Sequence, residues 1–67
     1  MAMLDINNEE FQVGDQLKVI KGGMYFSSGT VLVCIYDDGS NICEFCRVGE
    51  DPEEGSRWVN NDRLQKL

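Results

Sequence analysis

The sequence predicts a small all-β domain, a closed barrel of five short strands. Apolar and β-branched residues come in short runs, and segments containing glycine, serine or aspartate separate these runs. No run keeps a helical period for longer than one turn. The chain has 67 residues, and a chain of this size buries only about 60% of its unfolded surface, so it has room for one core. A closed barrel is the architecture that hides the edges of such a small sheet.

The N-terminal part divides into an arm and a first strand. Residues 1–10 lack sustained periodicity, which predicts a flexible N-terminal arm, with the barrel over residues 11–67. From Gln16 to Lys21, Leu17 and Val19 alternate with polar residues, as in a half-buried strand. Gly22 and Gly23 end this strand, and residues 24–26 lie in a loop between them and the next glycine signal at residues 27–29.

The strongest strand signal lies in the middle of the chain. Residues 30–36 are β-branched and apolar on both faces, which is typical of a central strand. An Asp-Gly pair in residues 37–40 then predicts a tight hairpin, because both central residues of the turn can take a positive φ. Residues 41–48 form the returning strand of this hairpin.

The C-terminal part contains a loop, two short strands and one turn. Residues 50–55 are a charged loop with the single proline of the chain. A short strand over residues 56–59 follows it. The next residues, from Asn60 onward, predict one tight helical turn, and residues 65–67 a closing strand.

Several of these segments together resemble the SH3-like barrel superfamily. They are Val-Gly-Asp-Gln-Leu-Lys-Val, Gly-Thr-Val-Leu-Val, Tyr-Asp-Asp-Gly-Ser and the terminal Trp-Val-Asn-Asn-Asp-Arg-Leu. The resemblance implies a five-stranded barrel with one 3₁₀ turn, here Asn60 to Asp62, between the final strands. The aromatic-rich start and the turn proline of the peptide-binding branch are missing, so proline-rich ligands are not implied. In length, acidity and layout the chain is similar to short barrel proteins of tailed bacteriophages, which implies an accessory protein that binds or inhibits a host protein.

The composition of the chain excludes several classes of function and favours one cellular compartment. The net charge is −6 and histidine is absent, which removes the usual general base and the commonest metal ligand. The first residues lack the features of a signal peptide, and no apolar stretch is long enough to cross a membrane. Three cysteines are an odd number, which fits reduced thiols in a cytoplasm, that of the host if the chain is phage-encoded. We expect no cofactor and no membrane partner.

The three cysteines could indicate a metal or redox site, but their spacing argues against one. Cys43 and Cys46 have CxxC spacing, but residues three apart on a strand point to opposite faces. A structural zinc site also needs four ligands, and no second CxxC or histidine exists. We therefore expect no metal site, and we expect Cys34 and one cysteine of the pair to be small core residues.

The acidic residues predict solubility rather than catalysis. They cluster at Asp37, Asp38, Glu50, Asp51, Glu53 and Glu54. Such a cluster usually forms a solvated surface, although it could bind a divalent cation or attract a basic partner. No nucleophile and base can be paired, and acids at loop tips lack the cleft that shifts a carboxyl pKa. We expect no catalytic residues and no enzymatic activity.

The aromatic residues beside loops are the candidate binding surface. The predicted partner-binding residues are Tyr25, Phe26, Tyr36, Asp37, Asp38 and Trp58. If the aromatic side chains converge, they could anchor a protein partner, and the acidic residues favour a partner with a basic surface. The competing interpretation is that Phe26, Phe45 and Trp58 are needed for the core.

Two alternatives to a protein-binding module stay open. A nucleic-acid-binding barrel would use the basic residues Lys18, Lys21, Arg57, Arg63 and Lys66. A pI near 4.3 opposes this function, because a nucleic acid repels the remaining surface. A structural component of a larger assembly would self-associate through an uncovered edge strand. The sequence leaves the oligomeric state open.

Overall fold

The fold consists of short strands with two single helical turns. A computed structural model describes residues 3–37 and 39–67. The all-β class predicted from the sequence is confirmed. The elements are β1 (Met3–Leu4), β2 (Glu10–Phe11), β3 (Gln16–Val19), β4 (Val31–Tyr36), β5 (Ile42–Arg47), α1 (Pro52–Gly55), β6 (Arg57–Asn60), a 3₁₀ turn (Asn61–Arg63) and β7 (Leu64–Lys66).

Five of the strands form one antiparallel sheet in the order β6-β5-β4-β3-β7. The prediction that β4 is central is confirmed, and β5 is its hairpin partner as predicted. The two outermost strands, β6 and β7, are consecutive in the chain and are joined only by the 3₁₀ turn. This turn starts one residue later than the sequence predicts. The first two strands pair with each other in a separate ladder.

One face of the large sheet carries the core because apolar residues alternate with polar ones along its strands. The fully buried side chains of this core are Leu17, Leu32, Cys34, Cys43, Phe45 and Leu64. Phe45 is the largest of them, and its ring lies 6.2 Å from the ring of Phe11. The core is therefore a layer of aliphatic and sulfur-containing side chains around the rings of Phe11 and Phe45, with Phe26 as a third aromatic residue.

The structure differs from the predicted N-terminal arm, because Met3 and Asp5 are buried and the Ile6 amide donates to the Leu64 carbonyl of β7. Met3 is buried in the core, and the thiol of Cys43 lies 3.2 Å from its sulfur. The Asp5 carboxylate accepts backbone hydrogen bonds from Asn7 at 2.8 Å, Glu9 at 2.9 Å and Lys66 at 2.7 Å. The last of these bonds joins the start of the chain to its final strand. Asp5 thus organises a turn that hydrophobic periodicity does not reveal.

A β-bulge interrupts the pairing of β4 with β5. Cys34 pairs with Phe45 and Tyr36 pairs with Glu44, so two steps along β4 match one step along β5. Ile35 is the extra residue. Without the bulge, Tyr36 would follow Cys34 into the core, because residues two apart on a strand share a face. With it, Tyr36 lies on the outer face and is exposed.

The segment predicted as a charged loop over residues 50–55 contains the short helix α1. Asp51 caps it, since its carboxylate accepts a hydrogen bond from the Glu53 amide at 3.0 Å. Proline occupies the first helical position, where its missing N–H costs nothing. This turn packs on the face of β5 that does not carry the core, and it covers Cys46.

Candidate functional site

An apolar surface depression lies between the β3–β4 loop and strand β6. We call it the aromatic cleft, and its volume is about 180 Å³. Its apolar lining is formed by Val19, Met24, Tyr25, Phe26, Trp58 and Val59. Its polar lining is formed by Lys21, Asn60 and Arg63, with Gly23 between them. The cleft is large enough for one or two side chains of a ligand.

The structure brings together four of the predicted binding residues at or beside this cleft. Tyr25, Phe26 and Trp58 line it, and Trp58 is 47% exposed. The ring of Tyr36 meets the ring of Trp58 edge to face, with 5.8 Å between their centroids. Met24 beside them is 90% exposed. An exposed surface of three aromatic rings and a methionine is thus continuous along one side of the molecule.

The contact between Tyr36 and Trp58 follows from sheet register. Both residues pair with Glu44, one from each neighbouring strand, so the three side chains form a row on the outer face. The two rings lean toward each other across this central position. The carboxylate of Glu44 accepts a hydrogen bond from the Ser56 hydroxyl at 2.6 Å. The bulge in β4 is what places Tyr36 in this row.

Phe26 lies mainly in the core, with 5% of its surface exposed. The Arg47 guanidinium lies over its ring at 5.0 Å. Of the aromatic residues for which the sequence left core and surface roles open, Phe26 and Phe45 are buried and Trp58 is exposed. Phe26 therefore forms the base of the cleft, while Trp58 offers its surface to solvent.

The acidic residues predicted for the site do not join the aromatic ones. Asp37 lines a different, polar depression with Glu10, Asp15 and Lys66. Its carboxylate accepts a hydrogen bond from the Gly39 amide at 2.6 Å, and Gly39 has a φ of +86°. Asp37 thus shapes the hairpin turn. Asp38, also predicted for the site, lies outside the described residues.

Three cations surround the aromatic cleft. Lys21 and Arg63 line it, and the Arg57 guanidinium lies over the Tyr25 ring at 5.4 Å, a cation–π distance. No carboxylate is among the described residues that line the cleft. The aromatic and the basic residues belong to two different predicted functions, and the structure places members of both sets together. The sequence feature that could have indicated a combined aromatic and basic site is that Arg57 and Trp58 are neighbours in the chain.

The loop that carries Tyr25 is held in place by polar contacts. Arg63 donates a hydrogen bond to the Gly22 carbonyl at 3.1 Å, and Ser28 donates one to the Ile20 carbonyl at 3.0 Å. A Cβ at Gly22 would lie 3.1 Å from the Ser28 backbone nitrogen, which is a tight contact. These contacts position the cleft wall before any ligand binds.

The three cysteines are buried as thiols. Cys34 and Cys43 both lie in the core, whereas Cys46 lies under α1 and donates to the Glu50 carbonyl at 3.4 Å. Burial, with the neighbouring Cys43 and Asp37, raises the pKa of the Cys34 thiol to about 12. Burial also raises the pKa of Cys46, and Glu50 adds to this effect. The thiolates of Cys34 and Cys46, which are the reactive species, are therefore disfavoured at neutral pH.

We expect the native protein to react slowly with a thiol reagent such as Ellman's reagent. At pH 7.5 the three thiols should react only as the chain opens, at least about a hundredfold more slowly than in urea, because all three are buried and the raised pKa values of Cys34 and Cys46 disfavour their thiolates. Absorbance of the released chromophore measures both rates. One thiol that reacted at the unfolded rate in the native protein would contradict the buried positions.

Comparison of the chain with protein-family models, curated proteins and solved structures found no match. Within residues 3–37 and 39–67, no three Cys, Asp or Glu side chains are grouped closely enough to hold a metal ion. In the same residues, no helix has the length and apolar character needed to cross a bilayer.

Proposed function

We propose that this protein is a non-catalytic interaction module that binds a protein partner through the aromatic cleft. The observation that carries the proposal is the exposed group of Tyr25, Trp58 and Met24 around a cleft of about 180 Å³. Tryptophan and tyrosine supply a large contact area at low entropic cost and dominate many binding interfaces. The resemblance to phage proteins implies that such a module would occlude a surface of a host protein.

We infer that the large sheet closes as an SH3-like barrel. A flat sheet of five strands is about 19 Å from edge to edge. The two edge strands are joined by three residues in a 3₁₀ turn, which advances only about 2 Å per residue. Strong curling of the sheet brings these edges within reach of each other. The three-residue connection is the support for a closed barrel.

The side chains that line the cleft support ligand binding rather than catalysis. Its polar groups are the cations Lys21 and Arg63 and the amide of Asn60. None of these is a nucleophile with a neighbouring base in the described lining. The thiols, which could act as nucleophiles, lie buried elsewhere. A partner's side chain in this cleft would gain apolar contacts and hydrogen bonds without a chemical step.

A random peptide library displayed on phage, selected on the immobilised protein, tests this function without knowledge of the partner. We expect an enriched peptide whose affinity falls at least about tenfold in Trp58→Ala, as is usual for a central aromatic residue of an interface. Val48→Ala is the matched control, because Val48 is exposed, apolar and outside the cleft. Fluorescence anisotropy of the labelled peptide measures both affinities.

Two results would contradict the proposed function. One is the absence of any enriched peptide, and the other is a peptide that binds Trp58→Ala and Val48→Ala equally well. Circular dichroism of Trp58→Ala shows whether the variant is folded. Tyr36→Ala is a second variant, because Tyr36 supports the Trp58 ring while lying outside the cleft lining.

Single-stranded nucleic acid is the second candidate ligand, and one observation favours it. Cations beside exposed aromatic rings are the features on which single strands stack. Labelled oligothymidylate and oligouridylate at low salt are the probes for this function. Binding tighter than that of every selected peptide, with loss in Trp58→Ala, would replace the protein-binding proposal.

A further inference from the structure

We propose that the aromatic cleft recognises an acidic peptide segment, in which an apolar side chain has a carboxylate close to it. This inference rests on the proposed protein-binding function and specifies the chemistry of the ligand. The apolar side chain would occupy the space between Tyr25 and Trp58. The carboxylate would face the cations of the cleft.

The distribution of positive charge supports an anionic ligand. The chain carries six Lys and Arg residues and a net charge of −6. Of these six residues, Arg47 and Lys66 form ion pairs with carboxylates, at 3.4 Å and 3.9 Å. Three others, Lys21, Arg57 and Arg63, are grouped at the aromatic cleft. An acidic protein thus gathers three of its six cationic side chains at the aromatic cleft.

The hydrogen bonds of the two arginines leave their charges available. Arg57 donates to the carbonyls of Ser56 at 2.7 Å and Glu54 at 3.4 Å. Arg63 donates to the Gly22 carbonyl at 3.1 Å. Carbonyl partners fix the direction of a guanidinium group without cancelling its charge, and each group has five N–H donors. Both side chains are therefore oriented in advance for a carboxylate.

The surroundings of the cleft favour a peptide over a nucleic acid. The cleft admits one or two side chains, whereas a bound single strand extends over several nucleotides. Strand extension along the aromatic row would bring phosphates close to Glu44, which lies between Tyr36 and Trp58. On the other side, Glu53 and Glu54 are exposed in the helix that precedes Arg57. A peptide can place one carboxylate at the cations and avoid these acids.

This chemistry differs from the basic partner surface that the sequence predicts. That prediction depended on Asp37 and Asp38 accompanying the aromatic residues. Asp37 faces another depression, and the charged side chains that line the aromatic cleft are Lys21 and Arg63. The charge of the preferred ligand at this cleft is consequently reversed.

The experiment measures the charge preference of the peptides selected on the full chain. We expect their sequences to be enriched in Asp and Glu beside an aromatic or aliphatic residue. For the best peptide, Lys21→Gln should weaken binding at least about threefold at low salt, and more salt should reduce this difference. Lys18→Gln removes the same charge outside the cleft and should change the affinity little.

A double-mutant cycle identifies the contact directly. Replacing the peptide's carboxylate by its amide should weaken binding to the wild type, and should weaken binding to Lys21→Gln or Arg63→Gln less. Lys21 is exposed and makes no described packing contact in the core, so its variant is expected to fold. Trp58 fluorescence confirms that the peptide occupies the cleft, because Trp58 is the only tryptophan of the chain.

The outcomes separate this inference from the proposed function. Trp58-dependent peptides that are basic, or that are insensitive to Lys21→Gln and to loss of their carboxylates, would overturn the inference and leave the interaction module intact. Absence of any Trp58-dependent peptide would overturn both. Tighter binding of oligothymidylate or oligouridylate than of every peptide would assign the cations to nucleic acid and overturn the acidic peptide.

Discussion

The Phe45→Ala variant is expected to lose most of the stability of the fold. Phe45 is fully buried and is the largest such side chain in the described part of the protein. Replacing a buried phenylalanine by alanine costs about 3–5 kcal/mol through lost burial and the cavity that remains. A domain of this length has a free energy of unfolding of only about 3–10 kcal/mol. The variant should therefore be largely unfolded, or unfold at much lower urea concentration.

Urea unfolding followed by circular dichroism and by Trp58 fluorescence measures this effect. Tyr36→Ala is the control, because Tyr36 is an aromatic residue of the same sheet that is 53% exposed. Its cost should be about 1 kcal/mol or less. If Phe45→Ala and Tyr36→Ala unfolded at the same urea concentration, the central position of Phe45 in the core would be wrong.

The second large effect concerns Asp5, whose carboxylate holds the N-terminal turn to the last strand. Asp5 is 3% exposed. Burial alone would raise its pKa, but the backbone N–H groups of Lys66, Glu9 and Asn7 outweigh burial and hold the pKa below 3.8. In Asp5→Asn, an amide N–H₂ group would face one of these donors. We expect a loss of about 1–3 kcal/mol in the free energy of unfolding at pH 7.

The pH dependence of this loss distinguishes the charged interaction from simple packing. Because the pKa of Asp5 is lower in the folded state than in the unfolded state, the carboxylate stabilises the fold above the unfolded value. This contribution decreases as the pH falls below about 3.8, through the folded pKa. The difference between wild type and Asp5→Asn should thus be constant near neutral pH and shrink in acid.

Denaturant unfolding of both proteins at a series of pH values measures this difference. Asp62→Asn is the matched control, since Asp62 is exposed in the 3₁₀ turn and the same chemical change there should cost little. A difference for Asp5→Asn that stayed the same from pH 7 to pH 2.5 would show that ionisation of Asp5 does not contribute.

Local sequence patterns were sufficient to predict most strands. Alternation along residues 16–19 and the β-branched run before Tyr36 each correspond to an observed strand, and the strand predicted to return beside β4 is β5. These signals depend on neighbours in sequence, so they can be interpreted without a tertiary structure. The arrangement of residues 3–10 could not be predicted in this way. It depends on a bond from Lys66 to Asp5, whose residues are far apart in the chain.

The candidate site was predictable in its aromatic residues but not in its charge. Tyr25, Tyr36 and Trp58 were identified because they flank loops, and the structure brings them together. The electrostatic character of the site depends on sheet order and register. These place Tyr36 and Trp58 on either side of Glu44, and they turn Asp37 to a different depression. Neither property can be obtained from residue spacing alone.

The bulge at Ile35 lets β4 contain one residue more than regular pairing with β5 requires. Deleting Ile35 would bring Tyr36 directly after Cys34 and leave it opposite Glu44, so Tyr36 would stay on the outer face beside Trp58. In evolutionary terms, the exposed aromatic row would survive the loss of this residue, whereas a substitution of Tyr36 itself would take the neighbouring ring away from Trp58.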